Sequence, residues 1–317
     1  MNPARLIVIT GPTASGKSEL AILVALALDA DILSADSMQV YRGMDIGTAK
    51  PTKEDCVRVR HYGIDVESPY DPYTVSDYCD FAKPIIEKAI QGRQSLVICG
   101  GTGLYLKALL EGLADAPPPD YEFRRKLEAE VEEQGTAFLH SRLTHIDPES
   151  AERIHSNDQK RIIRALEIYE GTGITKSQFE EMQEAPPWNE KIAWFGIEWP
   201  WEDLFKRIDH RVDRMIEAGL VEEVVALQKD GQVLSHTASQ ALGYKEILDH
   251  LSGEGNLEDT IALIKQHIRR FARRQMSWFR PNKKIHWLQA NAAIPNSGRA
   301  TQFRDEVLEN LVSASKT

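Results

Sequence analysis

The residues best suited to chemistry lie near the start of the chain, where Gly11-Pro12-Thr13-Ala14-Ser15-Gly16-Lys17-Ser18 follows a short apolar run. The spacing G-x-x-x-x-G-K-S, set between a strand and a helix, builds a phosphate cradle: glycines let successive N–H groups turn inward, and the helix N-terminus adds positive potential. Lys17 supplies a point charge for the terminal phosphate, and Ser18 offers a hydroxyl to Mg²⁺. A cradle alone does not say what becomes of the phosphate. Where nucleoside triphosphates are hydrolysed, a second strand ends in an aspartate that helps to hold the metal. Here the run at 95–99 leads into Gly100-Gly101-Thr102-Gly103 with no carboxylate. The acid at a strand end is Asp36, closing the run 31–36, where it acts either as a base toward an acceptor or as a turn cap. Gly100 to Tyr105 form a second glycine-rich turn, where backbone and the Thr102 hydroxyl can meet a ligand.

Cations gather in two further places. On 257–280, Lys265, Arg269, Arg270, Arg273 and Arg274 fall on one side at helical spacing, with Ile261, Ile264, Ile268, Phe271 and Trp278 on the other. That pattern predicts a helix packed by its apolar face, its basic face open to a phosphate backbone or, for some of the arginines, to the diphosphate itself. Around 158–169, Lys160, Arg161 and Arg164 stand beside Ile162, Ile163 and Leu166, as a nucleic-acid grip or as a lid over the cradle.

These residues need elements to hold them. Strands are expected at 5–10, 31–36, 95–101 and 191–199, with 284–288 returning to the sheet, and helices at 17–28 and at 75–91, kinked by Pro84. Alternation of this kind predicts an α/β fold with a parallel sheet and a ligand site at the carboxyl ends of its strands. Pro117-Pro118-Pro119 open a polar, helix-rich stretch that lasts to Pro186-Pro187. The chain therefore reads as a core at 1–116, a helical insertion at 117–188 and the rest of the core at 189–317. Helices follow at 201–227, 240–251 and 257–280, and the tail after Gln289 reads as polar and loose.

The 317 residues suffice for one large domain or two ordinary ones, and 42% hydrophobic with 27% charged residues excludes the disordered and fibrous classes. Cys56, Cys79 and Cys99 form no C-x-x-C pair, which argues against a disulfide framework or a zinc ribbon. A net charge of −10 excludes indiscriminate coating of nucleic acid but leaves room for a local basic surface. With no leader-like or membrane-length apolar run, a cytoplasmic protein without a membrane partner is expected; a monomer is the separate expectation for its assembly.

Taken together, GPTASGKS at 11–18, DSMQVYRGMDIGTAKP at 36–51 and GGTGLY at 100–105 resemble the tRNA dimethylallyltransferases, also called tRNA isopentenyltransferases. Agreement extends through Asp65 in HYGIDV, NDQKRIIRALEIYEGTG at 157–173, RVDRMIEAGLVEEV at 211–224, ALGYKEI at 241–247 and RRFARRQMSWFR at 269–280, in order from about residue 5 to 288. The resemblance implies a P-loop NTPase-like parallel sheet with flanking helices and an all-helical insertion domain. It implies transfer of a dimethylallyl group from its diphosphate to N6 of the adenosine beside the tRNA anticodon, with the P-loop gripping the leaving group.

By that resemblance Gly11 and Thr13 to Ser18 hold the diphosphate with Mg²⁺, Asp36 is the general base toward N6, and Thr102 lies in the same channel. Asp36, Ser37, Met38 and Gln39, with Lys160, Arg161, Ile162, Ile163 and Arg164, are implied to touch the tRNA, as is Arg124; Arg273 and Arg274 belong to the basic helix. Departures are few: Tyr62 stands where a second histidine is frequent, and Ser18 and Ser277 replace a commoner threonine. A bacterial type is expected, without a C-terminal zinc finger. The rivals are a P-loop kinase with Asp36 as base toward a hydroxyl, a nucleotide-switched RNA-binding protein, and an adenylate dimethylallyltransferase, which needs neither insertion nor basic helix.

Overall fold

The computed structural model describes residues 5–112, 116–189 and 192–313. Its six strands are β1 (Leu6–Thr10), β2 (Asp31–Ser34), β3 (His61–Tyr62), β4 (Leu96–Cys99), β5 (Ile192–Glu198) and β6 (Ile285–Gln289). They form one sheet in the order β3-β2-β4-β1-β5-β6, every neighbouring pair parallel. The unbroken apolar runs of β1 and β4 are buried throughout, as strands covered on both faces must be. Lys191, the first residue of the expected run at 191–199, lies outside the described residues.

Register decides what the carboxyl ends present. Ile9 pairs with Cys99 and Ser34 pairs with Cys99, so β1, β4 and β2 end level and their following turns emerge side by side. The turns are packed so closely that Gly100 has no room for a side chain: a Cβ there would lie 2.1 Å from the Ala35 carbonyl oxygen. Gly100→Ala should therefore destabilise the protein by about 1–3 kcal/mol or more, read as a lower midpoint in urea unfolding.

The first helices are α1 (Lys17–Leu28), α2 (Lys53–Arg58), α3 (Val75–Gln91) and α4 (Gly103–Glu111). Pro84 stands inside α3, which continues through it. A helical unit follows, built of α5 (Tyr121–Gln134), α6 (Thr136–Ile146), α7 (Pro148–Arg153), α8 (Gln159–Thr172) and α9 (Lys176–Glu181). The chain packs as two units, one of Met1–Leu109 with Trp188–Thr317 and the other of Leu110–Pro187. The helical unit thus begins ahead of the triple proline. Its core gathers Leu127, Leu139, Leu143, Ile162, Ile163 and Leu166.

The remaining helices are α10 (Trp201–Glu217), α11 (Leu220–Leu227), α12 (Tyr244–Leu251), α13 (Leu257–Phe279) and α14 (Asn296–Ser313). Two of them correct the sequence expectations. The single helix expected over 201–227 breaks at Gly219, whose φ of +96° ends α10 and starts α11 in a new direction. The tail expected to be loose instead forms α14, because Phe303, Val307 and Leu311 recur at helical spacing and bury in the sheet core that also holds Ala21 and Val24 of α1.

Candidate active site

The P-loop between β1 and α1 takes its shape from Gly11, Ala14 and Gly16, which all have positive φ. Two of its carbonyls are tied from outside: Arg207 Nε donates to Ala14 O (2.8 Å) and Trp199 Nε1 to Ser15 O (3.0 Å). No side chain caps the first turn of α1, so the amides there remain open to an anion. Thr13 departs from the expected pattern, since its N–H donates to Gln275 Oε1 on α13 at 2.8 Å. Gln275, buried, also donates through Nε2 to Gly101 O at 3.0 Å, so a single amide straps the P-loop to the β4 turn. Gln275→Leu leaves both backbone groups unmet and should cost about 1–3 kcal/mol of stability, measured as a fall in melting temperature.

A cleft lies between the P-loop and the β2 and β4 turns, bordered by Lys17, Ser18, Asp36, Gln39, His61 and Cys99. Burial lowers the Lys17 pKa and nearby Arg211 lowers it further, while Asp36 opposes both. Burial likewise lowers the Arg211 pKa, again against a stabilising field from Asp36. Among the described residues the Arg211 guanidinium makes no hydrogen bond or ion pair. Two buried cations, Lys17 at the cleft and Arg211 near it, with the one carboxylate of Asp36 acting on both, suit a multiply charged anion. Burial pushes the Cys99 thiol up to about 11, so it stands in the cleft as a neutral group.

Asp36 is both cap and free acid. Its Oδ1 accepts from the N–H groups of Met38 (2.9 Å) and Gln39 (3.4 Å), while Oδ2 accepts no hydrogen bond among the described residues. Thr102 joins the turns: its Oγ1 accepts from Ser37 N at 3.0 Å and its own N–H donates to Ala35 O at 3.2 Å. Gln39 is spent internally, with Oε1 accepting from Ser34 Oγ and Nε2 donating to the carbonyls of Thr48 and Ala49. Its side-chain amide is therefore committed to the fold and not to a partner. Of the four residues 36–39, the structure leaves Asp36 with an open carboxylate oxygen at the cleft.

The basic helix needs a larger correction. Lys265 pairs with Asp213 at 2.5 Å and Arg269 with Asp209, so these two cations fasten α13 to α10 and do not form an open basic face. Arg270, Arg273 and Arg274 remain exposed; Arg273 lies 5.0 Å from the Phe205 ring centroid and Arg274 5.7 Å from that of Phe271. Trp278, expected in the core, is 42% exposed and lies against Gly103.

In the helical unit, the side chains of Ile162 and Ile163 are core and cannot meet an RNA. Arg124 and Arg164 converge on buried Glu167, Arg124 through Nε at 2.7 Å and Nη2 at 2.8 Å, and Arg164 also donates to Pro117 O. Burial works against the Glu167 charge, yet these two arginines hold its carboxyl below the usual range. Lys160 and Arg161 stand exposed on α8.

Sequence reasoning passed over Arg207, Arg211, Gln275 and Trp199. A signal for the arginines existed in the spacing of Arg207, Arg211 and Arg214, which share one side of a helix.

Comparison with known proteins agrees with this geometry. The model of the IPP transferase family matches residues 39–282. The chain belongs to the IPP transferase family. A tRNA dimethylallyltransferase 1 of Trichlorobacter lovleyi is 43% identical over 301 residues, covering 94% of this chain and 99% of that protein. A tRNA dimethylallyltransferase of Acetivibrio thermocellus is 42% identical over 284 residues, covering 89% of this chain and 91% of that protein. Among solved structures, the tRNA isopentenylpyrophosphate transferase of Bacillus halodurans superposes with a TM-score of 0.70 at 36% identity, covering 98% of each chain. A eukaryotic dimethylallyltransferase acting on tRNA superposes with a TM-score of 0.78 at 26% identity, covering 98% of this chain and 80% of that one. This transferase therefore has the P-loop NTPase-like fold. Among the described residues no helix is long and apolar enough to cross a membrane.

Proposed function

We propose that this enzyme transfers the dimethylallyl group of dimethylallyl diphosphate to N6 of the adenosine beside the anticodon of tRNA, releasing diphosphate. The observation that carries the proposal is the cleft itself: Lys17 and Ser18, at the P-loop end of α1, share one opening with Asp36 and its unbonded oxygen, and Arg211 lies close enough to act on the charges of Lys17 and Asp36. Departure of diphosphate from an allylic carbon leaves positive charge on carbon and negative charge on phosphate oxygens. Lys17, Arg211 and the amides of Gly16 to Ser18 stabilise the second, as fixed donors in a cleft sheltered from water. The exocyclic amine of adenine is a weak nucleophile, and Asp36 Oδ2 accepts its proton as the new C–N bond forms, an effect typically worth about 10²–10⁴-fold.

The oxygens at the cleft fit Mg²⁺. Ser18 and Asp36 border it, and an ion here would be held by the Ser18 hydroxyl together with oxygens of the diphosphate. When bound, Mg²⁺ adds charge neutralisation at the leaving group. An adenine stacked in an RNA loop reaches such a cleft only by flipping out, which costs least in a single-stranded loop. Lys160, Arg161, Arg273 and Arg274, all exposed, are proposed to hold the RNA backbone. Arg124 and Arg164 are proposed to act there only through the surface left outside their Glu167 pairs.

The deciding experiment follows label from dimethylallyl diphosphate, with Mg²⁺, into an anticodon stem-loop bearing an unmodified adenosine, beside free AMP and ATP controls. Label in the stem-loop alone is the expected result. Label in AMP alone, or turnover of ATP without transfer, would sink the proposal.

A further inference from the structure

Residues 45–49 sit between two opposite charges. From one side the Glu223 carboxylate on α11 accepts the N–H groups of Asp45 (3.0 Å), Ile46 (2.9 Å) and Gly47 (3.4 Å), together with the Tyr244 hydroxyl. Successive amides converging on one carboxylate form a nest, and bonds to a charged acceptor are about twice as strong as neutral ones. Burial, and then the bond to Glu223, push the Tyr244 phenol well above the ordinary tyrosine range, so it remains a donor. The same packing makes position 47 a glycine, because a Cβ would lie 2.4 Å from the Tyr244 ring. From the other side Lys50 Nζ, with its side chain only 5% exposed, is bonded to Tyr41 O, Asp45 Oδ1 (2.6 Å) and Asp65 Oδ1 (2.5 Å).

The clamped segment leads to the cleft. Its Thr48 and Ala49 carbonyls hold Gln39 Nε2 at 3.2 and 3.3 Å, Asp65 N donates to Gln39 O at 3.2 Å, and Gln39 N donates to Asp36 Oδ1 at 3.4 Å. Hydrogen bonds, joined by the short stretches of backbone between them, thus link both charges to Asp36, and none of the residues in the link belongs to the P-loop. We propose that Glu223 and Lys50 are positioning residues for the transfer reaction, a two-sided charge clamp that fixes the loop presenting Asp36. This role rests on the prenyl-transfer function proposed above. Neither side chain touches a reacting atom; each acts by holding Asp36 in place.

The test pairs steady-state transfer to the stem-loop with hydrogen exchange across residues 36–51, in Glu223→Gln, Lys50→Met and Lys50→Arg. For the first two, kcat is expected to fall about 10²-fold, the cost of displacing a reacting group by about 1 Å. Diphosphate affinity should stay near wild type, exchange should quicken within 36–51, and Lys50→Arg should recover part of the rate. Wild-type kcat in Glu223→Gln and Lys50→Met overturns the proposal, as does a joint loss of kcat, diphosphate affinity and melting temperature, which marks general unfolding. If the wild-type protein transfers nothing, the proposed function has failed. Exchange then decides the clamp alone: unchanged protection in the variants overturns it, and loosening confined to 36–51 upholds it.

Discussion

Asp36→Asn is expected to lower the rate of transfer about 10²–10⁴-fold while leaving the melting temperature near that of the parent protein. The two oxygens of Asp36 make the substitution discriminating. Oδ1 caps the turn through Met38 N and Gln39 N, and an asparagine keeps an oxygen for that purpose. What it removes is the charge and the proton acceptor at Oδ2, and that charge acts on both Lys17 and Arg211. A residue that merely caps a turn predicts near-normal transfer by the asparagine variant. Asp36→Ala serves as the complement, because it loses the cap as well and should cost about 1 kcal/mol of stability in addition to the rate. Diphosphate affinity, followed by isothermal titration, should not weaken in either variant, since the removed charge is negative. A parent-like rate in Asp36→Asn would return Asp36 to a structural part and move the search for a base elsewhere in the cleft.

The phosphate grip was legible because each of its parts is local: a buried strand, a glycine loop and an apolar helix lie within residues 6–28, and their geometry needs no distant partner. Asp36 was legible for a related reason, as an acid at the end of a short strand. Its second role, as a cap, was equally local. What sequence could not show was partnership across the chain. Lys265 and Arg269 look like an open basic face until Asp213 and Asp209 of α10 are placed against them. Arg164 and Arg124 look like RNA contacts until both are found on one buried glutamate. Gln275 gave no signal at all, since an amide in a basic helix is unremarkable until the P-loop is brought beneath it. The last helix is a different failure. Phe303, Val307 and Leu311 are spaced for a helix, but they are outnumbered by polar neighbours, and mean polarity hid the period.

Arg211→Met should weaken diphosphate binding about 10- to 100-fold, the equivalent of losing one charged hydrogen bond of about 1.5–3 kcal/mol. Burial disfavours the charges of both Arg211 and Lys17, and Arg211 further disfavours that of Lys17, so two cations are held at and beside the cleft at a cost. A bound diphosphate removes that cost, and each cation therefore binds the anion more strongly than an exposed one would. The pH dependence carries the sign of this arrangement. Lys17 has a folded pKa below its unfolded one, so the unfolded chain binds more protons between the two values, and the empty protein gains stability as pH rises through that window. Diphosphate affinity moves the opposite way, falling as Lys17 loses its proton, and its alkaline limb should appear below the ordinary lysine range. Removing Arg211 lifts one of the influences that depress Lys17, so the alkaline limb of the Arg211→Met variant should shift upward even as its affinity drops. Titrations of diphosphate across alkaline pH, in the parent and the variant, read both effects. A variant with weakened affinity and an unmoved limb would separate Arg211 from Lys17 and assign it to the anion alone.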